Sequence, residues 1–336
     1  MGRMSLSWED LESLITKNYG MKIVEYENIK KIIKCKTDQG IKALKMVDDS
    51  FGRFLFICEA MEHTRRNGFH NIPEICKTVD GQWGIEAGSG ILMMTDWMEA
   101  READYESKKD LYLTATALAS FHQISKGFHA SKESSPRFLW GQWLEHFHHR
   151  AQEILLFKEK AENKKEKKLF DQHVIHYANY FHDWAIKSIR HLEESSYIKI
   201  SEMGKLEKAY CHHDMANHNV LISEHDEVFL IDFDHCIYDI TIHDAASLII
   251  RNVRYGNWSL DKAYYIFDTY NQTNRILGEE IGIIRAMMEF PQEFWQVGLQ
   301  YYVEQQPWEE EVFERRLIRI LEDIPKREVF MKRFLV

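Results

Sequence analysis

The chain has 336 residues, 45% of them hydrophobic and 29% charged, which is apolar material for one large core or two lobes and excludes disorder on the scale of a domain. Its formal net charge of −10 argues against nucleic acid or an anionic membrane as the main partner, since both require a positive surface. Cys35, Cys58, Cys76, Cys211 and Cys236 are odd in number and lack Cys-x2-Cys spacing, so neither a disulfide framework nor a zinc knuckle is expected, and a reducing compartment is the simpler reading. No apolar run approaches the roughly 20 residues of a membrane span, and the start lacks the apolar core of a secretory signal, so a cytoplasmic protein is expected. Met1-Gly2-Arg3-Met4-Ser5-Leu6 misses the myristoylation pattern at Leu6.

In chain order, residues 21–26, 29–35 and 41–47 read as strands, the last two joined by the turn sequence Thr37-Asp38-Gln39-Gly40. Residues 54–66 carry helical periodicity through Phe54, Ile57, Met61 and Arg65. Residues 74–79 and 90–94 are expected to complete a small sheet, followed by Thr95-Asp96-Trp97-Met98 as a connection to a second lobe. From Lys108 the pattern turns helical, with Ser107-x-x-Asp110 as a cap and Leu111, Ala115 and Leu118 along one side. Residues 158–168, rich in Lys and Glu, read as an exposed helix with intrahelical pairs and no functional weight.

The chemistry concentrates in Cys211-His212-His213-Asp214-Met215-Ala216-Asn217-His218-Asn219 and, further on, Asp232-Phe233-Asp234. Between them, Val220-Leu221-Ile222-Ser223 and Val228-Phe229-Leu230-Ile231 flank Glu224-His225-Asp226-Glu227, which reads as a hairpin with a four-residue loop. That register places Asn219 opposite Asp232, close enough to share an ion or two neighbouring ions. Transfer of a phosphoryl group needs hard oxygen ligands for magnesium and a carboxylate that positions the attacking hydroxyl. In that scheme Asp232 and Asn219 hold metal, Asp214 orients or deprotonates the acceptor, and His212 is a structural brace.

His212-x-Asp214-x4-Asn219 followed by Asp232-Phe233-Asp234 resembles the catalytic and metal loops of the aminoglycoside phosphotransferase and choline kinase superfamily, which shares the protein-kinase fold. His213 stands where protein kinases have Arg and Asp234 where they have Gly, as in the small-molecule branch. Leu118-Ala119-Ser120-Phe121-His122 is similar to a helix of that superfamily, and Asp244-Ala245-Ala246 resembles its later aspartate that anchors the catalytic loop. The His-His-Asp wording, Ala43-Leu44-Lys45 and Pro291-Gln292-Glu293-Phe294-Trp295 look most like the bacterial spore-coat-associated branch, the CotS type. The resemblance implies an α+β, bilobal protein-kinase-like fold: a nucleotide-binding lobe over residues 1–96, with a small antiparallel sheet and one main helix, and a larger, mainly helical catalytic and acceptor lobe over residues 97–336 that carries the catalytic hairpin. It implies ATP and Mg2+ as cofactors, an unidentified small-molecule acceptor, spore-coat proteins as further partners, and incorporation into the coat.

Within that frame Lys45 steadies phosphates, and the backbone of Asp96, Trp97 and Met98 contacts adenine. Alternation in 41–47 puts Lys45 on the inward row with Ile41, Ala43 and Val47, whereas the opposite facing would leave it solvated. Its expected ion-pair partner is Glu59, with Glu62 as the rival that spacing cannot separate. Asp234 reads as a further metal or acceptor contact or as a plain loop acid. Kinases usually cover the phosphates with glycines between the first two strands, yet that segment here is Glu25-Tyr26-Glu27-Asn28-Ile29-Lys30. Two outcomes therefore stay open: a small-molecule kinase, and a pseudokinase that serves as a structural or binding protein of the spore coat. A metal-dependent phosphohydrolase built on the histidines is a third, disfavoured because His146-x-His148-His149 and its neighbours match no zinc spacing. Trp140, Trp143, Tyr238, Trp295, Tyr301 and Tyr302 are read as acceptor-pocket walls or as core.

Overall fold

In the computed structural model, residues 7–87, 90–255 and 258–335 are described. The N-terminal hexapeptide weighed for lipidation lies outside them. The chain divides into two compact units: residues up to Phe138 with Lys208–Tyr238, and Leu139–Glu207 with Asp239–Val336. The segment carrying the histidine-aspartate motif thus groups with the N-terminal sheet, and the 96/97 position lies within the first unit.

The first unit opens with α1 (Trp8–Tyr19), which starts where the Ser7 side chain accepts the Asp10 N–H and stops at Gly20 in the left-handed region. Strands β1 (Ile23–Ile29), β2 (Ile32–Thr37) and β3 (Gly40–Val47) follow, then helix α2 (Phe51–Arg66), β4 (Ile85–Ala87) and β5 (Gly90–Asp96). They form one antiparallel sheet in the order β1-β2-β3-β5-β4. One face is closed by α1, whose Leu11, Ile15 and Tyr19 pack with Ile33, Cys35, Leu44 and Met94. Since side chains alternate along a strand, Lys45 points from the face opposite Leu44, in the row expected for it.

Residues 74–79 do not form the expected strand. Ile75 makes a single bridge to Thr95, and the edge strand is instead Ile85–Ala87. Of the apolar residues of 74–79, Ile75 is buried and Cys76 packs against the α1 core, whereas Val79 is exposed. β6 (Arg101–Glu102) comes next, then α3 (Lys108–Ile124), capped by Ser107 as its sequence suggests.

The second unit is helical: α4 (Trp143–Glu162), α5 (Leu169–Glu194) and α6 (Tyr197–Glu207) before the motif, with α7 (Ile242–Val253) to α11 (Glu310–Met331) after it. The charged run 158–168 is not one exposed helix, because α4 ends at Glu162. Lys164 turns inward to Asp171, 2.7 Å away and fully buried, so an apparently solvated lysine closes the start of α5.

Candidate active site

The motif lies between β7 (Tyr210–Cys211) and β10 (Ile237–Tyr238), which pair antiparallel and bracket it. Behind it, Phe121 of α3 packs edge-on against Tyr210 at 5.4 Å and Phe233 at 5.8 Å, so the segments that carry the two motifs rest on one aromatic support. The Tyr210 hydroxyl donates to the Ala60 carbonyl at 2.8 Å, fastening that support to α2.

His212 is fully buried and uses both ring nitrogens. Nδ1 accepts the Asp214 N–H at 3.3 Å and Nε2 lies 2.9 Å from the Ile231 carbonyl. An acceptor on one side and a carbonyl on the other select the neutral Nε2–H tautomer. The ring therefore ties the backbone at Asp214 to the backbone just before Asp232.

Asn219 is 2% exposed, and its Nδ2 donates to both the Asp214 carbonyl, at 3.1 Å, and Asp214 Oδ2, at 3.0 Å. Two acceptors fix the amide orientation, which leaves Oδ1 as the atom Asn219 can offer to a cation. The hairpin is formed by β8 (Val220–Ile222) and β9 (Val228–Leu230), but its register differs by one from the sequence expectation. The Ser223 N–H donates to the Glu227 carbonyl, and Asp226 sits at φ 64°, so the loop has three residues, 224–226, instead of four. An aspartate in the left-handed position closes a shorter turn than the composition suggested. Asn219 consequently pairs with Ile231, whose N–H it accepts at 3.0 Å, and Asp232 lies one residue beyond. Asp232 has φ 66° and ψ 66°, a left-handed conformation that turns the chain out of the ribbon.

Lys45 Nζ donates to Asp232 Oδ1 and lies 2.7 Å from Asp234 Oδ2. Burial alone would lower the Lys45 ammonium, but Asp234 and Asp232 more than offset it and hold it above its ordinary value. For Asp232 burial works upward, and Lys45 foremost outweighs it, so the carboxyl is kept below the usual range and ionised.

The expected Lys45 partner on α2 is not the one found. Glu59 accepts from the Ser131 N–H at 3.0 Å and the Ser134 hydroxyl at 2.6 Å, while Glu62 pairs with Arg66 at 2.7 Å. Helix α2 contributes Arg53 instead, 2% exposed, whose Nη2 donates to the Asp234 carbonyl at 3.0 Å and to the Cys236 carbonyl. The sequence carried a signal for it: Arg53 lies on the same stripe as Ile57, Ala60 and Thr64, a cation on an otherwise inward face.

At the connection, the Asp96 N–H donates to the Glu74 carbonyl at 2.9 Å and the Trp97 N–H to the Ile41 carbonyl at 3.1 Å. The Asp96 side chain pairs with Lys42 at 2.6 Å, and Lys34 lies 4.6 Å over the Trp97 ring. Both amides are thus committed to backbone carbonyls, and Met98 is the position of the three whose N–H makes no such bond among the described residues. In the first hairpin, β1 continues through the glycine-free segment to Ile29, and the turn is Lys30-Lys31 with Lys30 at φ 56°. Lys30 Nζ reaches Glu102 Oε1 at 3.3 Å. Asp244 is buried in α7 of the second unit, 3.2 Å from His243 Nδ1. Of the aromatics weighed as pocket walls, Trp143, Tyr238 and Tyr302 are core, and Trp295 donates to Glu153 at 2.7 Å.

Asp214 and Asn219 meet directly, and Asp232 follows Ile231, the backbone partner of Asn219. Carboxylate and amide oxygens of this kind are hard donors, which suit magnesium over the softer transition metals.

This sheet with its braced histidine-aspartate loop and following metal-type loop defines an α+β protein of the protein-kinase-like class. The match to the family described as "Spore coat putative kinase YutH" runs over residues 12–334, and the chain belongs to that family. It is similar to Spore coat protein S of Bacillus subtilis (strain 168), 22% identical over 304 residues that cover 90% of this chain and 86% of that protein. Among solved structures it is similar to an aminoglycoside phosphotransferase from Alicyclobacillus acidocaldarius subsp. acidocaldarius DSM 446, with TM-score 0.83, 21% identity, and 98% of this chain and 96% of that chain covered. A second is spectinomycin phosphotransferase APH(9)-Ia in complex with ADP and spectinomycin, with TM-score 0.66, 13% identity, and 98% and 99% covered. No helix among the described residues is long and apolar enough to cross a membrane.

Proposed function

We propose that the protein transfers the γ-phosphoryl group of ATP to a hydroxyl of a small molecule, with residues 1–96 binding the nucleotide and residues 97–336 supplying the catalytic loop and acceptor contacts. The observation that carries this reading is the direct bond from Asn219 to Asp214, in a protein whose Asp232 is kept ionised by Lys45. Asp232 and Asn219 Oδ1 would hold magnesium, which supplies charge neutralisation on the phosphates. Lys45 would move from the aspartates to phosphate oxygens, and the Met98 amide would meet the base. The Asp214 carboxylate, oriented by Asn219 and by the His212 bond to its N–H, receives the acceptor proton as the oxygen attacks.

The test is a nucleotide-dependent screen over sugars, amino-alcohols and aminoglycosides with Asp214→Asn as control. The expected outcome is turnover on a member of the panel that falls by about 10²–10⁴-fold in the variant while ATP binding persists. Full activity in Asp214→Asn defeats the assignment.

One observation favours a second reading, a coat-resident pseudokinase. Glu25 and Glu27 stand in β1 where phosphate-covering amides are usual, and the turn is lysine rather than glycine. Nucleotide binding without turnover on any acceptor would select it.

A further inference from the structure

The buried polar atoms around Asp234 are complementary and unmet. Arg53 Nε and Nη1 are buried without acceptors, and Asp234 Oδ1 is buried without a donor. The two residues already meet through Nη2 and the Asp234 carbonyl at 3.0 Å. A buried N–H or carboxylate oxygen left unpaired is unfavourable, so the arrangement is poised for a partner. Of the charges that act on Arg53, Asp49 and Arg137 are paired with each other at 2.9 Å, and Asp234 is the acid beside it outside that pair. What keeps Asp234 from doing so is Lys45, held by its Oδ2 at 2.7 Å.

We propose that Asp234 is a two-position residue: it holds Lys45 in the nucleotide-free protein and turns its carboxylate onto the Arg53 guanidinium when Lys45 is drawn to a phosphate. This rests on the nucleotide-binding reading above. Helix α2 then senses the nucleotide through a buried arginine at its first turn, where a glutamate from its middle was expected. Asp234 and Arg53 are positioning residues, and the hand-over exchanges one ion pair for another with no proton or bond transfer.

The experiment is a double-variant cycle on MgATP affinity by calorimetry, using the full chain with Arg53→Gln, Asp234→Asn and both. Because a charge-assisted pair would form only in the bound state, Arg53→Gln is expected to weaken MgATP binding about tenfold when Asp234 is present and by less than about twofold in the Asp234→Asn background. Equal loss in both backgrounds, as from a merely structural Arg53 or a water bridging the unmet atoms, overturns the proposal. Should Arg53→Gln not fold, Arg53→Lys, which keeps a cation for the two carbonyls, replaces it in the cycle. Absence of MgATP binding by the unaltered protein defeats the nucleotide reading itself and this inference with it, whereas binding without coupling defeats the inference alone.

Discussion

Asp239 shows how strongly one buried group can couple this protein to pH. Burial pushes its carboxyl up to about 7, against the lowering pull of His243, the Ile240 N–H and the Trp143 indole, while Asp244 adds to the rise. A carboxyl whose folded pKa lies above its unfolded value stabilises fully below the unfolded pKa and loses that contribution as pH rises through the folded one. The Asp239→Asn variant, uncharged throughout, is therefore expected to gain melting temperature relative to the unaltered protein as pH goes from about 4 to about 8. A constant difference across that range contradicts the assignment. At this scale the sequence showed Asp214, Asn219 and Asp232 because spacing within one segment limits where they can lie. It could not show the partner of Lys45: Glu59, Glu62 and Asp234 all come within chain reach, and only packing decides that Glu59 is consumed by Ser131 and Ser134.

At the scale of elements, turn geometry governs what the sequence leaves open. Asp226 and Lys30 both take left-handed backbone without being glycine, and each fixes a register that composition alone did not specify. Lys30→Gly and Lys30→Ala lose the same exposed ion pair to Glu102, so their difference isolates backbone strain. The glycine variant is expected to be more stable than the alanine variant by about 1–2 kcal/mol, read by denaturant midpoint, and equal stability contradicts a strained turn. Packing between α4 and α10 (Gln292–Tyr302) is similarly tight, since a Cβ at Gly298 would fall 2.4 Å from Phe157 Cδ2. Gly298→Ala should lower stability by about 1–3 kcal/mol, and a variant as stable as the parent would show that Phe157 yields freely. The long helices and the first three strands were legible from periodicity. The short strand Ile85–Ala87 was not, because three residues carry too little pattern to outweigh the longer run 74–79.

For the molecule as a whole, membership of a spore-coat kinase family and a protein-kinase-like fold leave activity and coat residence as separable properties. Activity turns on whether the Asp214–Asn219–Asp232 loops take up nucleotide with metal. The decisive measurement is calorimetric titration with ATP, with and without magnesium, of the unaltered protein and of Asp232→Asn. The expected result is binding that magnesium strengthens in the former, with that strengthening abolished in the latter. Absence of ATP binding, or a magnesium effect that survives loss of the Asp232 charge, would contradict it.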